Sequence, residues 1–102
     1  MRLTCLLIGQ DTLLIQCGKL LLEKNHLIKW VVTPTPLIQK WCDEHHIPWV
    51  NSLNQLPAQK EPCVDYLFSI VNGEILTKAN LKLARFAAIN YHDSLLPKYA
   101  GV

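Results

Sequence analysis

The sequence predicts an α/β fold with a Rossmann-like, mostly parallel sheet that is flanked by helices. Short apolar runs alternate along the chain with segments whose apolar residues recur at helical spacing. The short runs are apolar almost throughout, which is typical of strands that are covered by helices on both faces. The chain has 102 residues, half of them hydrophobic, and this suffices for one small domain with its own core.

Three strands and two helices are predicted in the first half of the chain. Gly9 ends the first apolar run, and Asp11 or Thr12 follows where a side chain can cap a helix. Pro36 lies in the first turn of the second helix, where the missing N–H has no helical partner to lose. In order, the elements are a strand at 2–8, a helix from 11 or 12 to about 24, a strand at 27–32, a helix at 36–46 and a short strand at 47–50.

Two further strands are predicted in the second half, separated by a turn and a helix. Residues 52–56 favour a short helical turn, and the proline-containing segment 57–62 favours an exposed loop. The remaining elements are a strand at 64–71, a turn and a helix at 73–84 and a strand at 85–91. Five strands make only part of a doubly wound sheet, so we expect the sheet to be incomplete on its carboxyl-terminal side.

Helical spacing also predicts which side chains face the core. The three tryptophans lie on predicted strands and on a helix face, so we interpret them as packing residues and not as a stacking platform. The predicted inward faces consist of Leu13, Leu14, Cys17, Leu20 and Leu21 in the first helix, and of Leu37, Ile38, Trp41 and Cys42 in the second.

Composition argues against several functional classes. The formal net charge is +2 and the basic residues are scattered, so the chain carries no electrostatic footprint for nucleic acid. No segment approaches the roughly 20 apolar residues of a membrane-spanning helix. The four cysteines are widely spaced and form no C-x-x-C pair, which predicts reduced thiols in a cytoplasmic protein.

Two cofactor motifs are incomplete. The turn from Gly9 to Thr12 lacks the G-x-G-x-x-G pattern, so we predict no nicotinamide cofactor. Cys42 and His45 have a spacing found in metal sites, but a second pair of ligands is missing and a structural zinc site needs about four ligands. We therefore predict no metal.

The last predicted strand leads into Asn90 and His92. Residues two apart on a strand point to the same side, so a carboxamide and an imidazole are expected side by side at the carboxyl end of this strand. In open α/β sheets this edge binds ligands. The pattern alone leaves two interpretations. Either the two side chains are donors aimed into a cleft, or a hydrogen-bonded Asn90 holds the loop and His92 is exposed.

The segment around these two residues resembles a family signature. Residues 89–101 read Ile-Asn-Tyr-His-Asp-Ser-Leu-Leu-Pro-Lys-Tyr-Ala-Gly, and Asn-x-His followed by x-Ser-Leu-Leu-Pro looks like the signature of the formyltransferases. Upstream, residues 65–76 are similar to that family in their spacing before the asparagine, and 71–75 resemble the segment that lines its folate pocket. The resemblance spans most of the chain in the order of elements and is specific from about Asp65 onward.

The resemblance implies transfer of a formyl group from 10-formyltetrahydrofolate to an amine. Asn90 would then hydrogen-bond the formyl oxygen and the oxyanion of the tetrahedral intermediate. His92 would stabilise the same charge and take part in proton transfer. The folate-binding residues that the resemblance implies are Val71, Asn72, Gly73, Ile75, Leu96 and Pro97.

The family's third catalytic residue is an aspartate well beyond the histidine, and Asp93 is too close to His92 to take that role. We therefore expect this chain to be the N-terminal portion, residues 1–102, of a single formyltransferase domain, and to be inactive alone. The acceptor is either an amine-bearing small molecule or a carrier-bound amino acid. Residues 99–102 look more like the variants that are fused to amino-acid-activating, peptide-assembly enzymes than like the family member that acts on tRNA.

Two alternatives to an active formyltransferase remain open. One is a catalytically incomplete remnant of the family that serves as a binding or interaction module. The other is a small Rossmann-like nucleotide binder, against which the missing glycine pattern counts. An exposed flank of the last strand would favour self-association.

Overall fold

The structure is a computed structural model that describes residues 1–91. The strands are Thr4–Gly9 (β1), Leu27–Val32 (β2), Trp49–Val50 (β3), Val64–Ile70 (β4) and Ala84–Tyr91 (β5). The helices are Leu13–Glu23 (α1), Pro36–Glu44 (α2) and Lys78–Leu81 (α3), and a short 3₁₀ helix covers Leu53–Gln55.

All five strands form one parallel sheet in the order β3-β2-β1-β4-β5. β1 lies at the centre, where Ile8 is in register with Val32 of β2 and with Ser69 of β4. The chain moves outward from β1 to β3, crosses back to β4 and then moves outward again to β5. Since such crossovers are right-handed, the two halves place their connections on opposite faces of the sheet. The Rossmann-like α/β fold predicted from the sequence is confirmed.

The central strand contributes to two apolar clusters, one on each face of the sheet, because alternate side chains of a strand point to opposite sides. Cys5 and Leu7 pack with α1 and α2. Leu6 and Ile8 pack with residues of the 3₁₀ helix and of the segments around α3. All four side chains are almost completely shielded from solvent. Burial of a side chain of this size stabilises a fold by about 1.5–3 kcal/mol, so β1 anchors both layers.

The tryptophans pack as predicted. Trp41 is buried in the cluster beneath α1 and α2, and Trp30 and Trp49 are half-buried against the two clusters. The indole Nε1 of Trp49 donates a hydrogen bond of 2.8 Å to the Oδ1 atom of Asp43. Each ring therefore has a place in the packing of the domain.

The predicted inward face of α1 is partly wrong. Leu14 is fully buried, but Leu13 and Leu20 are 37% and 59% exposed. The helix packs over β1 and β2, and within residues 1–91 no helix covers the neighbouring half of the sheet on that side. Leu13 and Leu20 instead line an open apolar groove of about 410 Å³, which we call the α1 groove. Its other lining residues are Gln16, Cys17, Phe68, Ile70, Ile89 and Tyr91.

The predicted face of α2 contains one similar error. Ile38, Trp41 and Cys42 are buried as expected, whereas Leu37 is 58% exposed. A single short helix that rests on one side of a sheet shields only the stripe that points at the sheet. Leu37 lies outside this stripe.

The helix predicted within 73–84 is much shorter than expected. The hydroxyl of Thr77 accepts a hydrogen bond from the Asn80 amide, and the Asn80 side chain accepts one from the Thr77 amide. This capping box starts α3 only at Lys78. The carbonyl of Leu83 already accepts hydrogen bonds from the amides of Cys63 and Val64, so the chain has joined the sheet directly after one helical turn.

The last strand was predicted to be buried, and this is wrong for the described residues. β5 pairs with β4 at the edge of the sheet, and every residue of β5 except Ala84 is exposed. Asn90 therefore lies on an exposed edge strand. In the described part of the chain, no helix has the length and hydropathy that a membrane crossing needs. All four cysteines are free thiols.

Candidate functional site

The carboxyl edge of the sheet brings together the loops that follow β1, β2 and β4. Gly9 ends β1 so close to β4 that a Cβ atom there would overlap the carbonyl oxygen of Ile70. The next residue, Gln10, donates its amide to the carbonyl of Val71 at 3.3 Å. The hydroxyl of Thr35, in the loop after β2, donates a hydrogen bond of 2.7 Å to the carbonyl of Gln10. A glycine is required at the end of β1 because the backbones approach each other this closely.

The β1–α1 turn is held by its own acidic residue. The Oδ1 atom of Asp11 accepts a hydrogen bond of 2.8 Å from the Leu13 amide at the start of α1. Thr12 occupies the cap position but makes no side-chain capping bond. Of the two predicted capping side chains, Asp11 therefore satisfies the helix terminus.

Val71 follows β4 with a φ of 47°. This left-handed conformation is unfavourable for a β-branched residue, and it ends the strand one residue earlier than the sequence predicts. The Val71 amide donates a hydrogen bond of 2.9 Å to the carbonyl of Tyr91, and its carbonyl accepts the bond from Gln10. One residue thus joins the end of β5 to the loop after β1.

Asn72 closes the turn that follows β4. Its Nδ2 donates to the carbonyl of Glu74 and its Oδ1 accepts from the Glu74 amide, both at 3.0 Å. The Glu74 carboxylate in turn accepts a hydrogen bond of 3.2 Å from the amide of Leu53, at the start of the 3₁₀ helix. The carboxamide of Asn72 is therefore engaged within the turn, so its role is to hold the loop in shape.

Gly73 and Ile75 line a groove of about 480 Å³ on this edge, which we call the edge groove. Ile75 is 89% exposed, although it is a large aliphatic side chain. The other lining residues are Leu53, Asn54, Glu74, Thr77 and Asn80. Of the four described residues for which a folate contact is predicted, Gly73 and Ile75 lie in the edge groove, whereas Val71 and Asn72 shape the backbone beside it.

Asn90 lies at the carboxyl end of β5, in register with Ser69 of β4. It is exposed on the same edge of the sheet as the Val71–Gly73 turn. The other predicted site residues, His92, Leu96 and Pro97, lie outside the described residues. The predicted neighbourhood of Asn90 and His92 therefore stays a prediction.

Sequence patterns did not point to Gln10 or Thr35 as residues of this edge. The Gln10 side chain lies over Gly73, with its Oε1 atom 3.0 Å from the place of a Cβ on that glycine. Gln10 stands directly after a strand-ending glycine, and Thr35 stands between two prolines before a helix. These positions alone could have placed both residues at the carboxyl edge. Among residues 1–91, no group of three potential ligands could hold a metal ion.

The parallel sheet with its flanking helices defines a Rossmann-like α/β domain, and its polar turns gather at the carboxyl edge, which is the edge where open α/β sheets bind ligands. No protein-family model matches the chain. Curated relatives do match it, and several are named methionyl-tRNA formyltransferase. The protein of that name from Protochlamydia amoebophila is 37% identical over 76 residues, which are 70% of this chain and 23% of the relative.

Two other relatives of that name match more of the chain. The one from Alkaliphilus oremlandii is 30% identical over 114 residues, covering 91% of this chain and 36% of the relative. The one from Legionella pneumophila strain Paris is 29% identical over 119 residues, covering 97% of this chain and 37% of the relative. The chain belongs to the formyltransferase family, and it spans little more than a third of the length of these relatives.

Proposed function

We propose that the chain is the N-terminal portion of a formyltransferase domain and takes part in formyl transfer from 10-formyltetrahydrofolate to an amine. The observation that carries this proposal is the carboxyl edge itself. Asn90 is the penultimate residue of β5 and lies on the same edge as the Val71–Gly73 turn, and the edge groove opens at this edge. Family membership supports the same chemistry.

In this reaction the nitrogen of the acceptor amine attacks the formyl carbon, and the carbonyl π electrons move to oxygen. The tetrahedral intermediate then collapses, breaking the bond between the formyl carbon and N10 of the folate. The acceptor nitrogen loses a proton and N10 gains one. The side-chain N–H of Asn90 stabilises the oxyanion, and His92 stabilises this charge and assists the proton transfer. Each fixed donor of this kind supplies roughly 3 to 4 kcal/mol of transition-state stabilisation.

The donor folate is proposed to bind at the edge groove. Gly73 lines its wall, and the exposed Ile75 offers an apolar surface to a heterocyclic ring. Val71 and Asn72 hold the turn that forms the groove. Leu96 and Pro97 complete the pocket in this proposal, on the strength of the family signature alone. The third catalytic residue, an aspartate, is proposed to come from sequence beyond this chain.

The proposed acceptor is a carrier-bound amino acid. The relatives are named for action on methionyl-tRNA, in which an amino acid is carried by a nucleic acid. Between the two acceptor classes left open by the sequence, these names favour the carrier-bound amino acid over a free small-molecule amine. Because the net charge of this chain is only +2, we propose that any strong contact with an RNA carrier involves residues outside it.

Steady-state transfer by the full-length protein tests the proposal. We expect Asn90→Ala and His92→Ala each to lower kcat by about 100- to 1000-fold. Gln59→Ala is the matched control, because among residues 1–91 this exposed carboxamide donates to the Pro57 carbonyl alone, in the loop before β4. Full transfer by both Asn90→Ala and His92→Ala would show that the assigned roles are wrong.

Binding measurements separate the proposal from its alternatives. Titration with 5-formyltetrahydrofolate, a donor analogue, is expected to stabilise the protein against heat. Binding of the analogue by a full-length protein without any transfer would favour the remnant that acts as a binding module. Thermal protection by a mononucleotide and not by the folate would favour the nucleotide binder.

A further inference from the structure

Three non-glycine residues among 1–91 have a positive φ, and two of them have a local explanation. Asn25 (64°) and His46 (56°) follow the last residues of α1 and α2. The amides of the next residues, His26 and Ile47, donate back to carbonyls of the last helical turn at 2.9 and 2.8 Å. A left-handed residue is the ordinary way to end a helix, so these two conformations belong to helix termination.

Val71 (47°) has no such explanation. It follows a strand, and its Cβ is branched, so the left-handed region is sterically more costly for it than for Asn or His. A conformation of this kind is strained and persists only where the surrounding structure imposes it. Such residues cluster at active sites and ligand-binding turns.

The two backbone hydrogen bonds of Val71 show what imposes the conformation. Its amide donates to the Tyr91 carbonyl at 2.9 Å, and its carbonyl accepts from the Gln10 amide at 3.3 Å. The Tyr91 carbonyl belongs to the peptide bond that links Tyr91 to His92, and Asn90 directly precedes Tyr91. Val71 therefore fixes the carbonyl group of the residue that directly follows Asn90, to which the proposed function assigns part of the chemistry.

We propose that Val71 is a positioning residue for Asn90. Its left-handed backbone clamps the end of β5 against the β1–α1 turn, so that the Asn90 side chain is held in one arrangement at the carboxyl edge. The inference rests on the proposed function for the role of Asn90. A shift on the order of 1 Å in a reacting group lowers the rate of an enzyme by up to about 100-fold.

The variant Val71→Gly tests this inference in the full-length protein. Glycine adopts the same φ without strain but also reaches many other conformations, so the clamp loosens while both hydrogen bonds stay possible. We expect kcat to fall by about 10- to 100-fold, with less than about a threefold change in the KM for the folate donor. Val71→Ala keeps a Cβ, which restricts the backbone, so we expect it to restore most of kcat.

Asn25→Gly and His46→Gly are matched controls, because they relieve the same kind of conformation at the opposite edge of the sheet. We expect both to leave kcat unchanged. A second readout is independent of turnover. In NMR spectra of Val71→Gly, we expect faster exchange of the residue-71 amide and broadened or doubled signals from the Asn90 carboxamide, with neither change in the controls.

The outcomes distinguish the inference from the proposed function. An active wild-type protein whose Val71→Gly variant keeps both its kcat and its Asn90 signals would overturn the inference and leave the function standing. Loss of folding in both Val71→Gly and Val71→Ala would also overturn it, because Val71 would then be a core residue only. A wild-type protein without transfer or donor binding would refute the function, and the NMR comparison would still decide whether Val71 positions Asn90.

Discussion

The six-membered ring of Trp41 lies directly against the backbone of Gly18. A Cβ atom on Gly18 would overlap the ring carbon Cη2 and come within 3.1 Å of Cζ3. This contact joins α2 to the middle of α1, and it explains why Gly18 is one of the two buried residues of a leucine-rich helix. The Nε1 atom of the same indole is buried and has no hydrogen-bond partner among the described residues. Packing alone therefore holds the ring in place.

Gly18→Ala is expected to destabilise the protein by about 1–3 kcal/mol, because the added methyl group must displace a buried ring. We expect this loss of stability although the helix propensity of alanine exceeds that of glycine by about 1 kcal/mol. Urea unfolding measures the change. Gly73→Ala is the control, because its Cβ would meet only the end of the flexible Gln10 side chain, and we expect less than about 1 kcal/mol there.

A double-mutant cycle sharpens this test. Trp41→Phe alone leaves a cavity where the larger ring lay, which destabilises the core. In Gly18→Ala/Trp41→Phe the new methyl group occupies part of that space. The double variant should then be more stable than the sum of the single effects by about 1 kcal/mol or more. Strict additivity would contradict the contact between the two residues.

Asp65 links three strands through a hydrogen bond to Thr4 and an ion pair with Arg85, and we predict that the two interactions contribute unequally to stability. Its Oδ2 accepts the Thr4 amide at 2.9 Å, and its Oδ1 lies 3.4 Å from the Nε of Arg85. Asp65→Ala leaves the Thr4 amide without this acceptor, which we expect to cost about 1–3 kcal/mol. Arg85→Ala removes an exposed ion pair, for which we expect no more than about 1 kcal/mol. Chemical denaturation of the two variants gives the comparison, and equal losses would contradict it.

We predict that the protein loses stability at alkaline pH because of its buried thiols. Burial, assisted by the Asp43 carboxylate, raises the pKa of Cys42 from 9.0 to about 12. Burial, with smaller effects of Cys17 and Asp65, raises the pKa of Cys5 to about 11. Between pH 9 and these values the unfolded chain releases protons that the native protein retains. The contribution of these two protonated thiols to the free energy of unfolding is therefore fully present below pH 9 and is lost as the pH rises toward 12.

Urea unfolding between pH 8 and 11 measures this loss. Cys42→Ala has a lower stability throughout because of its cavity, but we expect its free energy of unfolding to fall less steeply with pH. Lysines and tyrosines contribute equally to both proteins, so the difference in slope reports the thiol. Parallel slopes would show that the Cys42 thiol ionises as readily in the native state as in the unfolded chain.

We predict that the 102-residue chain self-associates through β5. Among the described residues β5 pairs only with β4, and Phe86 on it is 61% exposed. A long apolar edge strand is a template for pairing with another chain. Sedimentation velocity should show dimers or larger species that increase with concentration. Phe86→Lys should shift the equilibrium toward monomers, and Leu37→Lys, an equally exposed site on α2, should not. A wild-type chain that stays monomeric at all concentrations would contradict this.

The sequence predicted the strands well because their signal is local. β2 has the predicted bounds, 27–32, since a histidine and a threonine–proline pair flank a short apolar run. It predicted the helix faces less well, because spacing shows which side chains share a stripe but not how much of that stripe the sheet covers. Leu20 belongs to the apolar stripe of α1 and lies beside a part of the sheet that no described helix covers.

The sequence predicted which edge of the sheet carries the candidate site, but it did not predict the backbone conformation there. Asn90 and the segment 71–75 do lie at one edge of the sheet. The left-handed conformation of Val71 could not be predicted from the sequence, because β-branched residues disfavour the left-handed region most strongly. The folded structure imposes it through hydrogen bonds to Gln10 and Tyr91, which are 61 and 20 residues away in sequence. The engagement of Asn72 within its own turn likewise depends on contacts formed after folding.

The central place of β1 has a consequence for synthesis on the ribosome. β1 leaves the exit tunnel before the other four described strands, and its second neighbour, β4, follows about 60 residues later in the chain. Until that strand emerges, the nascent chain can form only the β1–β2 and β2–β3 pairs, which leaves one flank and part of each face of β1 open to water. Such intermediates aggregate readily and are bound by chaperones. The half of the sheet that carries the proposed chemistry, β4 and β5, is therefore synthesised after the half formed by β1, β2 and β3.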